Sequence, residues 1–213
     1  EKVVSLKNKI NILIFIFLLS CNDLDYISVY INNEYQLDFI NSVLDRTKHK
    51  VRYNGSYFDI DYPNGDIPSN FGVCTDVIIR SYRKIGIDLQ KLIHEDIKSN
   101  FHDYPISKHW PDQRYADSNI DHRRVPNLEV FFSKYGESLP ISNINSEFKP
   151  GDIVTWDLKG SSPWHIGIVI NRLSSSTNRP MIVHNIGQGP IIDDAIFDFP
   201  IRGHYRFLPE DNE

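Results

Sequence analysis

Asn70-Phe71-Gly72-Val73-Cys74-Thr75-Asp76-Val77-Ile78-Ile79-Arg80-Ser81-Tyr82-Arg83 decides how this chain is read. After Cys74 the residues Val77, Ile78, Ser81 and Tyr82 recur at helical spacing, leaving Asp76, Arg80 and Arg83 for a water-facing side. Pro68-Ser69-Asn70 and Gly72 oppose a helix upstream, so the pattern predicts one that begins at or just before Cys74. A thiol in the first helical turn feels the positive end of the helix dipole, which favours thiolate over thiol. Taken alone, a cysteine reads better as a small buried core residue than as a nucleophile.

The only other cysteine is Cys21. Residues 1–21 have the layout of a lipoprotein signal peptide, with Lys2, Lys7 and Lys9 ahead of the apolar run Ile10 to Leu19. That run is too short for a permanent membrane span. Leu18-Leu19-Ser20-Cys21 resembles the bacterial lipobox, which makes Cys21 the expected lipidation site. An ordinary signal peptide or a short membrane anchor is the alternative. The expectation is a protein of the cell envelope (periplasm, or outer membrane and extracellular face), with the membrane as partner through an N-terminal lipid anchor. Cys74 then has no disulfide partner in an oxidising compartment, where retained thiols are either deeply buried or catalytic.

The 213 residues carry a net charge of −5, 40% hydrophobic and 24% charged residues, which is ordinary globular composition without a basic footprint for nucleic acid. Residues 22–35 read as a tether, 36–208 as one domain and 209–213 as a tail. Leu37, Ile40, Val43 and Leu44 predict a helix over 36–48. Val51 to Tyr62 reads as a short hairpin or extended segment, and Asp88 as the cap of a helix through Ile97. Phe101 to Asp121 shows no periodicity. A further helix is expected over Val125–Tyr135, closed by Gly136. From Glu147 onward the pattern turns to strands, at 153–156, 164–170, 180–185 and 204–207. Helices followed by an antiparallel meander predict an α+β domain.

A cysteine nucleophile needs a base and a group that orients the base. Of eight histidines, His165 and His184 occupy similar places on successive predicted strands, where they can come within hydrogen-bonding reach. His184 or Asn185 would be the third member. His94, His102, His109, His122 and His204 are assigned no role. Neither HExxH nor CxxC occurs, so no metal and no cofactor is expected.

These words in this order resemble a known group. Helix-leading Cys74, Gly151-Asp152-Ile153-Val154-Thr155-Trp156, His165-Ile166-Gly167-Ile168-Val169 and Ile182-Val183-His184 are similar to the NlpC/P60 papain-like cysteine peptidases. The stretch from about Val51 to Phe207 resembles more closely the DUF1287 family of bacterial exported proteins. The resemblance rests on Asp61 to Asp66, Gly72 to Val77, Asn119 to Asn127 and Val183 to Gly187. It implies an NlpC/P60-type fold and an exported amidase or endopeptidase cutting amide bonds in peptidoglycan stem peptides. Cys74 would be the nucleophile, His165 the base and His184 the third residue. Tyr62 is the candidate for a tyrosine lining the site. Asp76, Arg123, Arg124, Trp164 and Asn185 complete the substrate-binding candidates, the arginines as partners of stem-peptide carboxylates or as ion-pair partners of Asp117 or Asp121. Trp110 could line the groove as well, whereas Trp156 reads as core. The usual DCSG around the nucleophile is here Val73-Cys74-Thr75-Asp76, and 101–127 has no counterpart in the group. A catalytically silent wall-binding lipoprotein and an acyltransferase with the same triad are the alternatives.

Overall fold

Helix α1 (Glu34–Arg46) opens the folded body, its first turn closed by Asn33, whose side chain accepts from the Gln36 N–H at 2.9 Å. The computed structural model describes residues 26–208 apart from 30, 32 and 160–163. The segment read as a signal peptide, with Cys21, and residues 160–163 and 209–213 therefore lie outside the described residues. A short strand β1 (Tyr26–Ser28) precedes α1. After α1 come β2 (Arg52–Tyr53) and β3 (Phe71–Gly72), which pair in parallel across a long loop. Of the hairpin or extended segment expected over 51–62, the hairpin does not form, because Arg52 and Tyr53 find their partners on the far side of that loop.

Helix α2 (Cys74–Lys84) begins at the cysteine. Val73 has no polar side chain to cap it, and Asp76 Oδ2 accepts the Val73 N–H at 2.6 Å instead. Val77, Ile78 and Tyr82 are buried, the Tyr82 hydroxyl donating to the Phe207 carbonyl at 2.6 Å. Sealing a side chain such as Ile78 from water is worth roughly 1.5–3 kcal/mol. Helix α3 (Leu89–Ser99) is capped by Asp88, and α5 (Val125–Tyr135) ends at Gly136. Between them, 101–121 is partly ordered by the short helix α4 (Ile106–His109) and flanking 3-10 turns.

The strands β4 (Glu137–Ser138), β5 (Ile153–Asp157), β6 (Trp164–Ser174), β7 (Pro180–His184), β8 (Ile191–Asp193) and β9 (Ile201–Arg206) form one sheet ordered β4-β9-β5-β6-β7-β8, with β1 added along β6. The meander expectation holds for β5 through β8. The tail strand, expected to follow on, instead returns to the free edge of β5. The place beside β7 is taken by β8, because Gly187 (φ 137°) and Gly189 (φ 95°) let the chain reverse there. Ile153, Ile166 and Ile168 face the helices. Val154, Trp156, Val169 and Ile182 pack on the opposite face against Phe148, Ala195 and Ile196.

Asp152 ties the two ends of the sheet region together. Wholly buried, it accepts from the Lys149 N–H at 2.7 Å, His204 Nε2 at 2.9 Å and Arg206 Nε at 2.8 Å. Replacing Asp152 with Ala strands a buried imidazole and a guanidinium. The expected loss is roughly 3 kcal/mol of unfolding free energy, read as a lower urea midpoint at unchanged m-value.

Candidate active site

Cys74 is buried against the first residues of β6, where the Ile166 N–H points at its sulfur. Ile166 follows His165, so the helix start and the strand start place thiol and imidazole one residue apart along β6. Side chains alternate across a strand. Ile166 shares the helix-side cluster with Cys74, while His165 leaves on the other side and packs on Trp156 with ring centroids 5.8 Å apart.

There His165 Nε2 meets His184 Nδ1 at 2.8 Å, and His184 Nε2 meets Asp193 Oδ2 at 3.2 Å. The register explains the contact. Gly167 lies opposite His184, making His165 its diagonal neighbour on the same face. A Cβ at Gly167 would come within 3.1 Å of His184 Cβ and 3.2 Å of Trp156, so glycine is what lets these rings close up. With Nε2 of His165 engaged, Nδ1 is the ring nitrogen left for a thiol or substrate proton. Of the two candidates for the third member, His184 is the one whose ring meets His165. Asn185 faces the other way, its side-chain oxygen accepting the Gly187 N–H (3.1 Å) and Gly189 N–H (3.2 Å). It is buried inside the turn rather than exposed to a substrate.

The electrostatics correct the thiolate expectation. Burial pushes the Cys74 thiol up to about 12, and the Asp76 carboxylate adds to it. The N–H groups of Ile166, Thr75 and Cys74 itself pull the other way and lose. His165 is driven down to about 3, by burial first and then by His184. His184 is also lowered by burial, against the opposing pull of Asp193. At neutral pH the thiol on one side of β6 and the histidine pair on the other are all uncharged.

Of the expected substrate contacts, Asp76 and Arg123 are turned inward. Their side chains are 4% and 2% exposed and joined by bonds of 3.0 and 3.1 Å, while Arg123 also holds the Ser56 and Asn54 carbonyls. Helical spacing predicts Asp76 on the water-facing side, and Arg123 takes the ion-pair alternative with Asp76 rather than with Asp117 or Asp121. The pair is buried because the 54–56 segment and the turn at 121–123 close over the start of α2. Arg124 pairs with Asp121 at 3.4 Å, bonds Gln113 and lies over the Trp110 ring at 3.8 Å. Trp164 is half-buried beside His109 (4.6 Å) and Trp110 (6.2 Å), forming an aromatic wall where β6 begins. Tyr62 is elsewhere, its hydroxyl donating to Glu95 at 2.5 Å and its ring against His94. The tyrosine at the thiol is Tyr53, 43% exposed, whose hydroxyl is raised by burial and by its neighbours Cys74 and Asp76. Tyr53 and Asp193 escaped the sequence reading. The glycines after Asn185 signal a reversal that brings Asp193 back past His184, whereas no local pattern marks Tyr53.

Among the described residues no group of three or more His, Cys, Asp or Glu is arranged to hold a metal ion. No described helix is long and apolar enough to cross a membrane.

Truncating Arg123 to Ala leaves Asp76 buried and unpaired. Unfolding free energy should drop by about 3–5 kcal/mol, measurable by urea denaturation; a purely substrate-binding arginine would leave the midpoint unmoved. The buried histidines set a second expectation. His165 and His122 are both held near 3 by burial, below their ordinary 6.5, so between these values the unfolded chain binds protons that the folded chain refuses. Stability therefore falls as pH drops from about 6.5 towards 3, and in His165→Gln the dependence of the urea midpoint on pH should flatten.

Two comparisons bear on this geometry. The family described as a domain of unknown function, DUF1287, matches residues 40–207. The uncharacterized protein YijF of Escherichia coli (strain K12) is 44% identical over 156 residues, covering 73% of this chain and 74% of that one.

Proposed function

We propose that this chain, which belongs to the DUF1287 family, is a cysteine hydrolase that cleaves amide bonds through Cys74, His165 and His184, with Asp193 orienting the histidine pair. The observation that carries this reading is the chain of contacts from Asp193 through His184 to His165 at 3.2 and 2.8 Å, ending one residue from the backbone N–H that touches the thiol. Such a row of groups orients an imidazole and fixes its tautomer.

In the first step His165 Nδ1 takes the Cys74 proton as sulfur bonds to the substrate carbonyl carbon. The proton then passes to the leaving amine as the carbon–nitrogen bond breaks, leaving a thioester. A water gives its proton to His165 and attacks the thioester, releasing a carboxylic acid and restoring the thiol. Because burial makes both charged forms costly, proton transfer accompanies attack and no thiolate waits in the resting site. His165 must also approach the sulfur, since no hydrogen bond joins it to Cys74 among the described residues. The Cys74 and Thr75 N–H groups, with the Tyr53 hydroxyl, are the donors for the developing oxyanion.

The α+β architecture with an antiparallel sheet suits an NlpC/P60-type assignment, with cysteine at a helix start and histidines on adjacent strands. On that likeness the substrate is a peptidoglycan stem peptide and the workplace the cell envelope, where a lipid on Cys21 would hold the chain. The buried neutral thiol favours one other reading, a wall-binding module on the same fold.

Digestion of purified sacculi separates the two. The expected outcome is release of stem-peptide fragments, abolished in Cys74→Ala and slowed about 10²- to 10⁴-fold in His165→Ala. Asp193→Asn should slow it less, since Asp193 acts through His184. Sacculi that bind wild-type protein and stay uncut would establish the binding module.

A further inference from the structure

Cys74 is only 4% exposed, yet the groups that meet its sulfur are not equally buried. Three are the backbone N–H groups of Cys74, Thr75 and Ile166, and Thr75 and Ile166 are sealed from water at 1% and 0% exposure. The fourth is Tyr53, whose hydroxyl bonds the thiol while 43% of the residue faces water. His165 lies across the sheet, packed on Trp156. Among these groups Tyr53 alone reaches the surface, so a molecule approaching Cys74 from solvent meets that ring first.

The backbone that carries Tyr53 is fixed. Tyr53 lies beside Gly72 in the β2–β3 pair, between a bond from the Arg52 N–H to the Asn70 carbonyl (2.9 Å) and one from the Asn54 N–H to the Gly72 carbonyl (3.2 Å). Arg123 holds the Asn54 and Ser56 carbonyls at 3.2 and 3.1 Å and is itself locked to Asp76. A Cβ added at Gly72 would stand 3.0 Å from Val51 Cγ1, so the two short strands leave each other no slack. The ring is held less firmly. Water can replace its hydroxyl bond to the thiol, and rotation about χ1 carries a half-exposed ring between staggered wells without moving the backbone.

We propose that the Tyr53 side chain is a gate over Cys74, closing the sulfur when its ring lies on the thiol and opening it when the ring turns outward on a fixed backbone. The gate faces the helix side of β6, so the path it controls enters beside β2 and not past the histidine row. Its role in admitting substrate rests on the hydrolase reading, whereas the gate itself is measured without any substrate.

Iodoacetamide is the probe, with alkylation read at the Cys74 peptide by mass spectrometry so that Cys21 does not contribute. Full-length Tyr53→Ala should be alkylated at Cys74 about 10-fold or more faster than wild type, because the closed state is lost. Tyr53→Phe, which keeps the ring and loses only the hydroxyl, should stay within about 3-fold of wild type, as loss of one modest hydrogen bond allows. Tyr57→Ala should leave the rate unchanged, since Tyr57 is exposed and bonds Asp117 instead. Repeating the measurement in low urea separates the gate from global unfolding. Local opening depends little on urea, whereas reaction through the unfolded chain rises with the full m-value. Equal rates in wild type and Tyr53→Ala overturn the gate, as does an acceleration in Tyr53→Phe as large as in Tyr53→Ala. An acceleration in Tyr53→Ala that climbs with the full m-value also overturns it. If the gate holds while wild-type protein leaves sacculi uncut, the hydrolase reading fails and the gate does not.

Discussion

The alternation of side chains along β6 is the constraint on which the site depends. A strand buried on both faces must send Ile166 one way and His165 the other. Ile166 and its neighbour Ile168 anchor the helices, so the helix that begins at Cys74 is pressed against the strand at that point. His165 is thereby delivered to the opposite face, where Gly167 leaves room for His184 and Trp156. One strand thus builds the core on one side and the histidine row on the other. Cys74 and His165 thus lie on opposite sides of the sheet, one residue apart along β6.

Burial outweighs the helix dipole at this site. A helix N-terminus offers partial charge of about half a unit, which falls off within a turn. Removing a thiolate from water costs more, and the nearby Asp76 carboxylate adds to the cost. The same carboxylate is nonetheless needed, because it caps α2 through the Val73 N–H and anchors Arg123. Structure and reactivity are in tension there. The start of α2 is firmly built around a thiol kept neutral, so the proposed reaction needs proton transfer to accompany attack.

Much of the fold was legible because its signals are local. Helix periodicity with Asp88 and Gly136 at the ends gave the helices to within about two residues, and apolar runs gave β5, β6 and β7. The two-residue pairings of β2 with β3 and of β4 with β9 were illegible, since strands that short carry no period and exist only through their partners. Asp76 looked like a surface residue because helical spacing ranks it with Arg80 and Arg83. Its burial comes from Arg123, 47 positions away. Tyr62 and Tyr53 are alike in sequence terms, and only the parallel pairing of Tyr53 with Gly72 puts that ring beside the thiol.

The sequence by itself determined the helix at Cys74, the strands bearing His165 and His184, and the class of the domain, because propensity, periodicity and capping act over a few residues. Tertiary structure alone decided which face each histidine takes, that Asp193 stands behind His184, that Asp76 and Arg123 neutralise each other, and that Cys74 is kept a thiol. Each of these depends on register or on burial among residues far apart in the chain. Composition carries no record of the water that folding removes from the sulfur, and that loss sets its protonation.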